Sequence, residues 1–168
     1  DDNWQWFEPV LAYDNAILPY ALLTAYPFLN DETVKQLGLL TLTFLESITI
    51  QNGALSLVGN QEWAKRGKHI SKFGQQPLDV TAMVFMYREA FRLTNKKVYF
   101  ARMVASFRWF LGENDLKIGL YDEETKGCCD GLESYGINRN QGAESTLCFH
   151  LAYIVVYRAF IDSAQDSK

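Results

Sequence analysis

Acidic side chains stand at three places where they could act on a glycosidic bond. Hydrolysis of such a bond needs two carboxyl groups, one that donates a proton and one that acts as base or nucleophile. The candidates for this chemistry are Asp14, Asp79 and Glu144. Each lies at the start of an apolar segment, so each could instead be a cap or first-turn acid that stabilises only its own helix. His69 and His150 are isolated and do not provide the paired bases of an epimerase.

Sugar-binding sites combine aromatic rings, which stack on the apolar face of a sugar, with amides and carboxylates that bind its hydroxyls. The candidates for stacking are Trp4, Trp6 and Tyr121, with core packing as the alternative for the two tryptophans. The candidates for hydrogen bonding are Glu8, Asn15, Gln75, Gln76, Asp130, Asn138, Asn140 and Gln141. A third tryptophan, Trp109, lies among apolar residues, and we expect it in the core.

Composition argues against several other classes of protein. Sixteen basic and twenty acidic residues give a net charge of −4 without a basic stripe, so we expect no nucleic acid partner. No apolar run reaches the ~18–20 residues that span a bilayer, so we expect no membrane span. Three cysteines, two of them adjacent, suit neither a disulfide framework nor a zinc site, so we expect reduced thiols, no metal, no cofactor and a cytoplasmic location.

Five segments have the apolar spacing and boundary residues of helices. Asp31 is a candidate N-cap for the second helix, and Pro77 suits the first turn of the third. The fifth is apolar on almost every face, so we expect it to be buried on all sides. The predicted helices cover residues 14–27, 32–50, 77–94, 96–111 and 143–162.

The connections between these helices alternate between short and long. Helices joined by short links are antiparallel neighbours, so both long links, about 52–76 and 113–142, should lie at one end of the molecule. The first, third and fifth helices would all begin there, with the positive ends of their dipoles and their polar first turns together. Such an arrangement suits a polyhydroxylated or anionic ligand. We therefore expect a polar pocket at this long-loop end.

Four blocks of the sequence, in order, resemble the helical domain attached to many bacterial glycosyltransferases and related proteins of carbohydrate metabolism. Those domains are themselves similar to the (α/α) toroids of sugar epimerases and of several glycoside hydrolases and lyases. The blocks are "WQWFEPVLAYDNAILPYALLTA", "QQPLDVTAMV", "FRWFLGENDLKIGLYDEETKGCCDGL" and "INRNQGAESTLCF". A complete toroid has about twelve helices and this chain offers five or six, and no G-x-G-x-x-G motif of a sugar-nucleotide domain occurs.

The resemblance and the helical pattern together predict an all-α array of antiparallel hairpins, a half or incomplete (α/α) toroid. We expect one domain over residues 1–168, with the C-terminal part of a longer protein as its candidate context. The predicted function is binding of a carbohydrate or sugar nucleotide at the long-loop end, without catalysis by this chain alone. Two alternatives stay open: a glycoside hydrolase or epimerase relative with paired carboxylates, and a scaffold that docks on a glycosyltransferase domain or a second copy.

Overall fold

A computed structural model describes residues 3–165 and contains five α-helices in this part of the chain. They are α1 (Ile17–Leu29), α2 (Glu32–Thr49), α3 (Pro77–Thr94), α4 (Lys97–Arg108) and α5 (Ala143–Gln165). One turn of 3-10 helix, Trp109–Leu111, extends α4 and ends at Gly112, whose φ of 102° lies in the left-handed region that favours glycine. Helix α3 is central and packs against α1, α4 and α5, while α2 packs against α1.

Local sequence signals place two of the helix starts correctly. The carboxylate of Asp31 accepts a 2.8 Å hydrogen bond from the backbone N–H of Thr33, so Asp31 is the N-cap of α2 as predicted. Pro77 is the first residue of α3, where its missing N–H removes no helical bond. Helix α1 starts three residues later than predicted, because Asp14 adopts a left-handed φ of 50° that no helix accommodates.

The prediction of an all-α fold is wrong. Helices make up 53% of the structure, and three two-stranded antiparallel sheets join parts of the connections; no toroid is evident. The strands are β1 (Val10–Leu11), β2 (Ile50–Gln51), β3 (Ala54–Leu55), β4 (Ala64–Lys65), β5 (Gly131–Glu133) and β6 (Gly136–Asn138). Strand β1 pairs with β4, β2 with β3, and β5 with β6. Long connections form such ladders because their partly buried backbone N–H and C=O groups need partners.

The core lies between α3 and the helices around it. Trp109, Tyr87 and Phe110 are the largest of its fully buried side chains. Trp109 is a core residue, as predicted. Phe110 and Phe107 contact Phe149 of α5, with the rings of Phe110 and Phe149 5.4 Å apart and nearly perpendicular. These contacts attach α5 to the end of α4 and position its first turns near the long connections.

The prediction that α5 is buried on all sides is also wrong. One face packs on α3 and α4, but Leu147, Leu151 and Tyr157 on the other are 61%, 48% and 55% exposed. By length and composition α5 could cross a membrane, so the sequence argument against a span does not hold for this helix. Core helices of other proteins pass the same test. This apolar face is exposed because no further helix within residues 3–165 covers it.

Candidate functional site

The three predicted catalytic carboxyl groups come together where α1, α3 and α5 begin. The backbone N–H of Asp14 donates a 2.9 Å hydrogen bond to Oδ1 of Asp79, which lies in the first turn of α3. Glu144 lies in the first turn of α5, and its negative charge acts on both aspartates. All three acids therefore lie in or just before a first helical turn. A role in stabilising a helix and a role in a site are both compatible with this position.

The environment of this carboxyl cluster favours protonation. Burial is the main cause that raises the pKa of Asp79 to about 7, and the charge of Asp14 adds to it, against hydrogen bonds from two backbone N–H groups. Burial and then the charge of Glu144 raise the pKa of Asp14 to about 6. Oδ1 of Asp14 is buried without a hydrogen-bond partner among residues 3–165, which also disfavours a charged carboxylate there. Near neutral pH the cluster therefore combines an acid that can donate a proton with carboxylates that can accept one.

One aromatic ring lies beside the cluster. Tyr13 is 54% exposed, and the charges of Glu144, Asp14 and Asp79 help burial to raise its pKa. Asn15, two residues after Tyr13, is buried. Its side-chain amide donates a 3.0 Å hydrogen bond to the backbone oxygen of Ala12. Tyr13 can therefore offer a ring face to a ligand, whereas Asn15 holds the turn before α1.

Asp130 organises the start of α5. Its Oδ1 accepts a 2.8 Å bond from the backbone N–H of Gly142 and a 2.7 Å bond from Oγ of Ser145, and its Oδ2 accepts from the amide of Asn140. Burial opposes the charge, but these hydrogen bonds outweigh it and lower the pKa of Asp130. Asp130 thus acts as a cap for α5 from the preceding strand region.

The other predicted amides of this loop also bind the protein. Oδ1 of Asn138 accepts a 3.1 Å bond from the backbone N–H of Asn140. Gln141 donates a 3.0 Å bond to Asp122 and accepts a 2.7 Å bond from Thr125, so it ties the 122–126 turn to the start of α5. Much of the polarity of this segment therefore positions the loop itself.

Beside this loop lies an open pocket of about 370 Å³. Four of its polar side chains make no hydrogen bond or ion pair within the part of the chain that the structure describes. None of the four therefore caps a helix or stabilises a turn through its side chain. They are Asn60, Gln76, Glu133 and Glu144. Asp130, Asn138 and Ser145 complete the polar wall. Glu144 belongs to both the pocket and the carboxyl cluster, so one ligand could contact the two together.

Gln75, unlike its neighbour Gln76, has a structural role. It is fully buried, and its amide nitrogen donates bonds of 2.8 Å and 2.7 Å to the Lys72 backbone oxygen and to Asp115. Its side-chain oxygen accepts a 2.8 Å bond from the indole N–H of Trp109. The backbone of Gln75 also exchanges two hydrogen bonds with Leu132, which fixes the start of α3 against β5. Gln75 therefore holds the start of α3 in place, and its side-chain amide has no free donor for a ligand.

The predicted stacking residues lie away from the carboxyl cluster. Trp4 and Trp6 pack on Phe44 of α2, with ring centroids 5.1 Å and 6.2 Å from it, beside a separate groove of about 290 Å³. The indole N–H of Trp4 donates to the backbone oxygen of Glu8, whose residue is exposed. Tyr121 stacks on Phe149 at 4.1 Å and is half-buried. None of these four residues lines the pocket beside Glu144.

Four residues of the site were missed by the sequence interpretation: Tyr13, Asn60, Glu133 and Ser145. Tyr13 directly precedes Asp14, so its place next to a candidate acid was available as a signal. Asn60 and Glu133 lie in long connections, and only the folded loops bring them to Gln76 and Glu144.

Among residues 3–165 no group of three or more His, Cys, Asp or Glu side chains has the arrangement of a metal site. The three thiols, Cys128, Cys129 and Cys148, are free and buried. Burial raises the pKa of Cys128 to about 12, so it is not an activated nucleophile. The chemistry that the site can supply is therefore hydrogen bonding, aromatic contact and proton transfer between carboxyl groups.

No known protein-family model matches the chain, and no curated protein was found to match it.

Proposed function

We propose that this chain is a carbohydrate-binding domain of the kind attached to bacterial glycosyltransferases, with its ligand in the pocket beside Glu144. The observation that carries the proposal is a set of polar side chains without a partner among residues 3–165, around a pocket of about 370 Å³: Asn60, Gln76, Glu133 and Glu144. Amides and carboxylates with free donors and acceptors match the hydroxyl groups of a sugar. The exposed ring of Tyr13, which is close enough to Glu144 to feel its charge, supplies an apolar surface beside the carboxyl cluster.

The size and charge of the pocket favour a short neutral or cationic glycan. A volume of about 370 Å³ falls at the lower end of the range of small-molecule sites, ~300–1,000 Å³. Its charged lining side chains, Asp130, Glu133 and Glu144, are all acidic. A diphosphate of a sugar nucleotide would be repelled by three carboxylates without a metal ion between them. We therefore favour a glycan over a sugar nucleotide as the ligand of this pocket.

A binding screen by thermal shift and calorimetry, with neutral, amino and acidic oligosaccharides and sugar nucleotides, tests the proposal. A Gln76→Ala/Glu144→Gln double variant should keep its fold and lose the stabilisation that a bound oligosaccharide gives. The matched control is Glu123→Gln, which removes an exposed carboxylate outside the pocket and should bind as the wild type does. Equal binding by the double variant, or no oligosaccharide that stabilises the wild type, would contradict the proposal.

A second candidate function, acid–base catalysis on the bound glycan, is supported by the carboxyl cluster. Asp79, with a pKa of about 7, is suited to hold a proton near neutral pH, and Glu144 is the exposed carboxylate of the cluster. Asp79 is almost fully buried, so Asp14 is the aspartate better placed to contact a substrate. Turnover of a glycan that binds the pocket, lost in Glu144→Gln and in Asp14→Asn while binding persists, would support catalysis. Binding without turnover in the wild type would reduce the chain to a binding domain.

A further inference from the structure

The exposed side of α5 carries an apolar stripe along most of its length. We define the α5 stripe as Leu147, Leu151, Ile154, Tyr157 and Ile161, which are between 40% and 61% exposed. Leu147, Ile154 and Ile161 recur every seven residues, and Tyr157 follows Ile154 by three. This heptad spacing is typical of a helix that packs along another helix. The side of α5 away from α3 therefore has the sequence pattern of a second helix-packing surface.

The area of the α5 stripe is sufficient for a stable interface. A large side chain contributes roughly 200 Å², so half exposure of the five side chains leaves roughly 500 Å² of apolar surface. A standard interface buries about 800 Å² on each partner, and about 60% of that is apolar, or roughly 500 Å². An apolar patch of this size is near the upper end of what monomeric proteins expose, and such patches often have a function.

The charges of α5 favour an antiparallel partner of the same sequence. From Ser145 to Tyr157 the helix has no Asp, Glu, Lys or Arg, and its one histidine, His150, lies 3.1 Å from the backbone oxygen of Lys126 through its Nε2. Over this span two copies can therefore approach without burying a carboxylate, an ammonium or a guanidinium group. An antiparallel pair brings Glu144 of one copy towards the half of its partner that carries Arg158. A parallel pair would instead set each of these charges against its own copy.

We propose that the chain forms a homodimer in which the α5 stripes of two copies pack antiparallel about a two-fold axis between Leu151 and Ile154. The contact is isologous, because the same surface serves both copies, so it closes after two subunits. Glu144 is not part of the stripe, but the antiparallel pair brings it near the partner's Arg158, so the pocket adjoins the proposed interface. The dimer does not require the proposed function, because its contacts and its test involve no glycan.

Sedimentation equilibrium across the micromolar range tests the dimer. We expect the wild type to dimerise and a Leu151→Glu/Ile154→Glu variant to raise the dissociation constant by more than about thirtyfold, because four carboxylates would meet at the centre of the interface. The matched control is Phe28→Glu/Leu29→Glu, which adds the same two carboxylates to α1 at side chains that are 86% and 61% exposed. This variant should dimerise as the wild type does. A monomeric wild type, or equal dimerisation of the double variant, would overturn the proposal.

Cross-linking tests the geometry. The native cysteines are buried, so an introduced exposed cysteine is the one that reacts. Near the axis Ile154→Cys should form an intermolecular disulfide under mild oxidation. Leu147→Cys should not, because its two copies would lie roughly 16 Å apart along the antiparallel helices at 1.5 Å per residue. Equal cross-linking at both positions would contradict the antiparallel arrangement. A wild type that stays monomeric but sediments with lipid vesicles would identify the stripe as a membrane-binding surface and overturn the dimer.

Discussion

The backbone N–H of Asp14 donates to Oδ1 of Asp79, so that two residues 65 positions apart share one partly buried hydrogen bond. The bond joins the turn before α1 to the first turn of α3. It also brings two carboxyl groups into a region where their charges oppose each other, and this proximity contributes to the raised pKa of Asp79. The local geometry of the site and its protonation state are therefore coupled.

We expect stability to fall as the pH rises from about 4 to about 7. The folded pKa values of Asp14 and Asp79, about 6 and about 7, exceed the value of about 3.9 for free aspartate, so the folded chain holds protons that the unfolded chain has released. Each group contributes at most about 1.4 kcal/mol per pH unit in this window. Urea unfolding at pH 5 and pH 8 should show the loss in the wild type and a smaller loss in Asp79→Asn. An unchanged pH dependence in this variant would contradict the assignment.

Removal of the Asp130 carboxylate should destabilise the start of α5. Asp130→Ala leaves the N–H of Gly142 and the hydroxyl of Ser145 without their partner, and hydrogen bonds to a charged group contribute about 1.5–3 kcal/mol each. We expect a loss of about 2 kcal/mol in the free energy of unfolding and faster amide exchange in the first turn of α5. Asn140→Ala removes one donor to Asp130 and should cost less. Equal stability of wild type and Asp130→Ala would refute the capping role.

Gln75→Leu should destabilise the core rather than remove a ligand contact. The substitution leaves the buried indole N–H of Trp109 without an acceptor, which costs about 1–3 kcal/mol. Chemical unfolding measures the loss, and the tryptophan emission of the folded state should shift as the environment of Trp109 changes. Under conditions in which the variant is fully folded, its glycan affinity should stay within about twofold of that of the wild type, because Gln75 does not line the pocket. A larger loss of affinity than of stability would reassign Gln75 to the binding site.

Tyr13→Ala should weaken glycan binding by about tenfold, the equivalent of about 1.4 kcal/mol of apolar contact. The matched control is Tyr135→Ala, which removes an equally large and 81% exposed ring from the β5–β6 connection. Calorimetry with an oligosaccharide found in the screen measures both. If the two variants bind alike, Tyr13 does not contact the ligand.

Gly53→Ala should destabilise the β2–β3 hairpin by about 1 kcal/mol. Gly53 has a φ of 84°, and no atom lies within 4 Å of where a Cβ would be, so backbone strain is the cause and not a steric clash. Thermal unfolding measures the change. The control is Ser47→Ala, a substitution at an exposed position near the end of α2. It should change stability by less than about 0.5 kcal/mol.

Features that depend on local chemistry could be predicted from the sequence. The cap at Asp31, the proline at the start of α3 and the convergence of Asp14, Asp79 and Glu144 follow from residue preferences and from the alternation of short and long links. The β2–β3 hairpin also had a local signal that was overlooked. Asn52-Gly53 has a left-handed φ at both residues, as a type I′ turn requires, and Asn-Gly is the dipeptide that favours it.

Features that depend on distant partners could not be predicted. Whether α5 is buried on all sides depends on how many helices surround it, and its apolar sequence is the same in either case. Gln75 and Gln76 are adjacent and identical, yet one binds Trp109 in the core and the other lines the pocket. Trp4 and Trp6 have the composition of a sugar-stacking segment, but their position is decided by contacts with Phe44.

The pocket separates the side chains that hold its shape from those that face its interior. Asp130, Gln141 and Gln75 use their polar atoms within the protein, whereas the side chains of Asn60, Gln76 and Glu133 have no hydrogen-bond partner among residues 3–165. The second group can therefore be varied in a combinatorial library while the scaffold stays intact. Selection from such a library would change the specificity of the pocket at little cost in yield of folded protein.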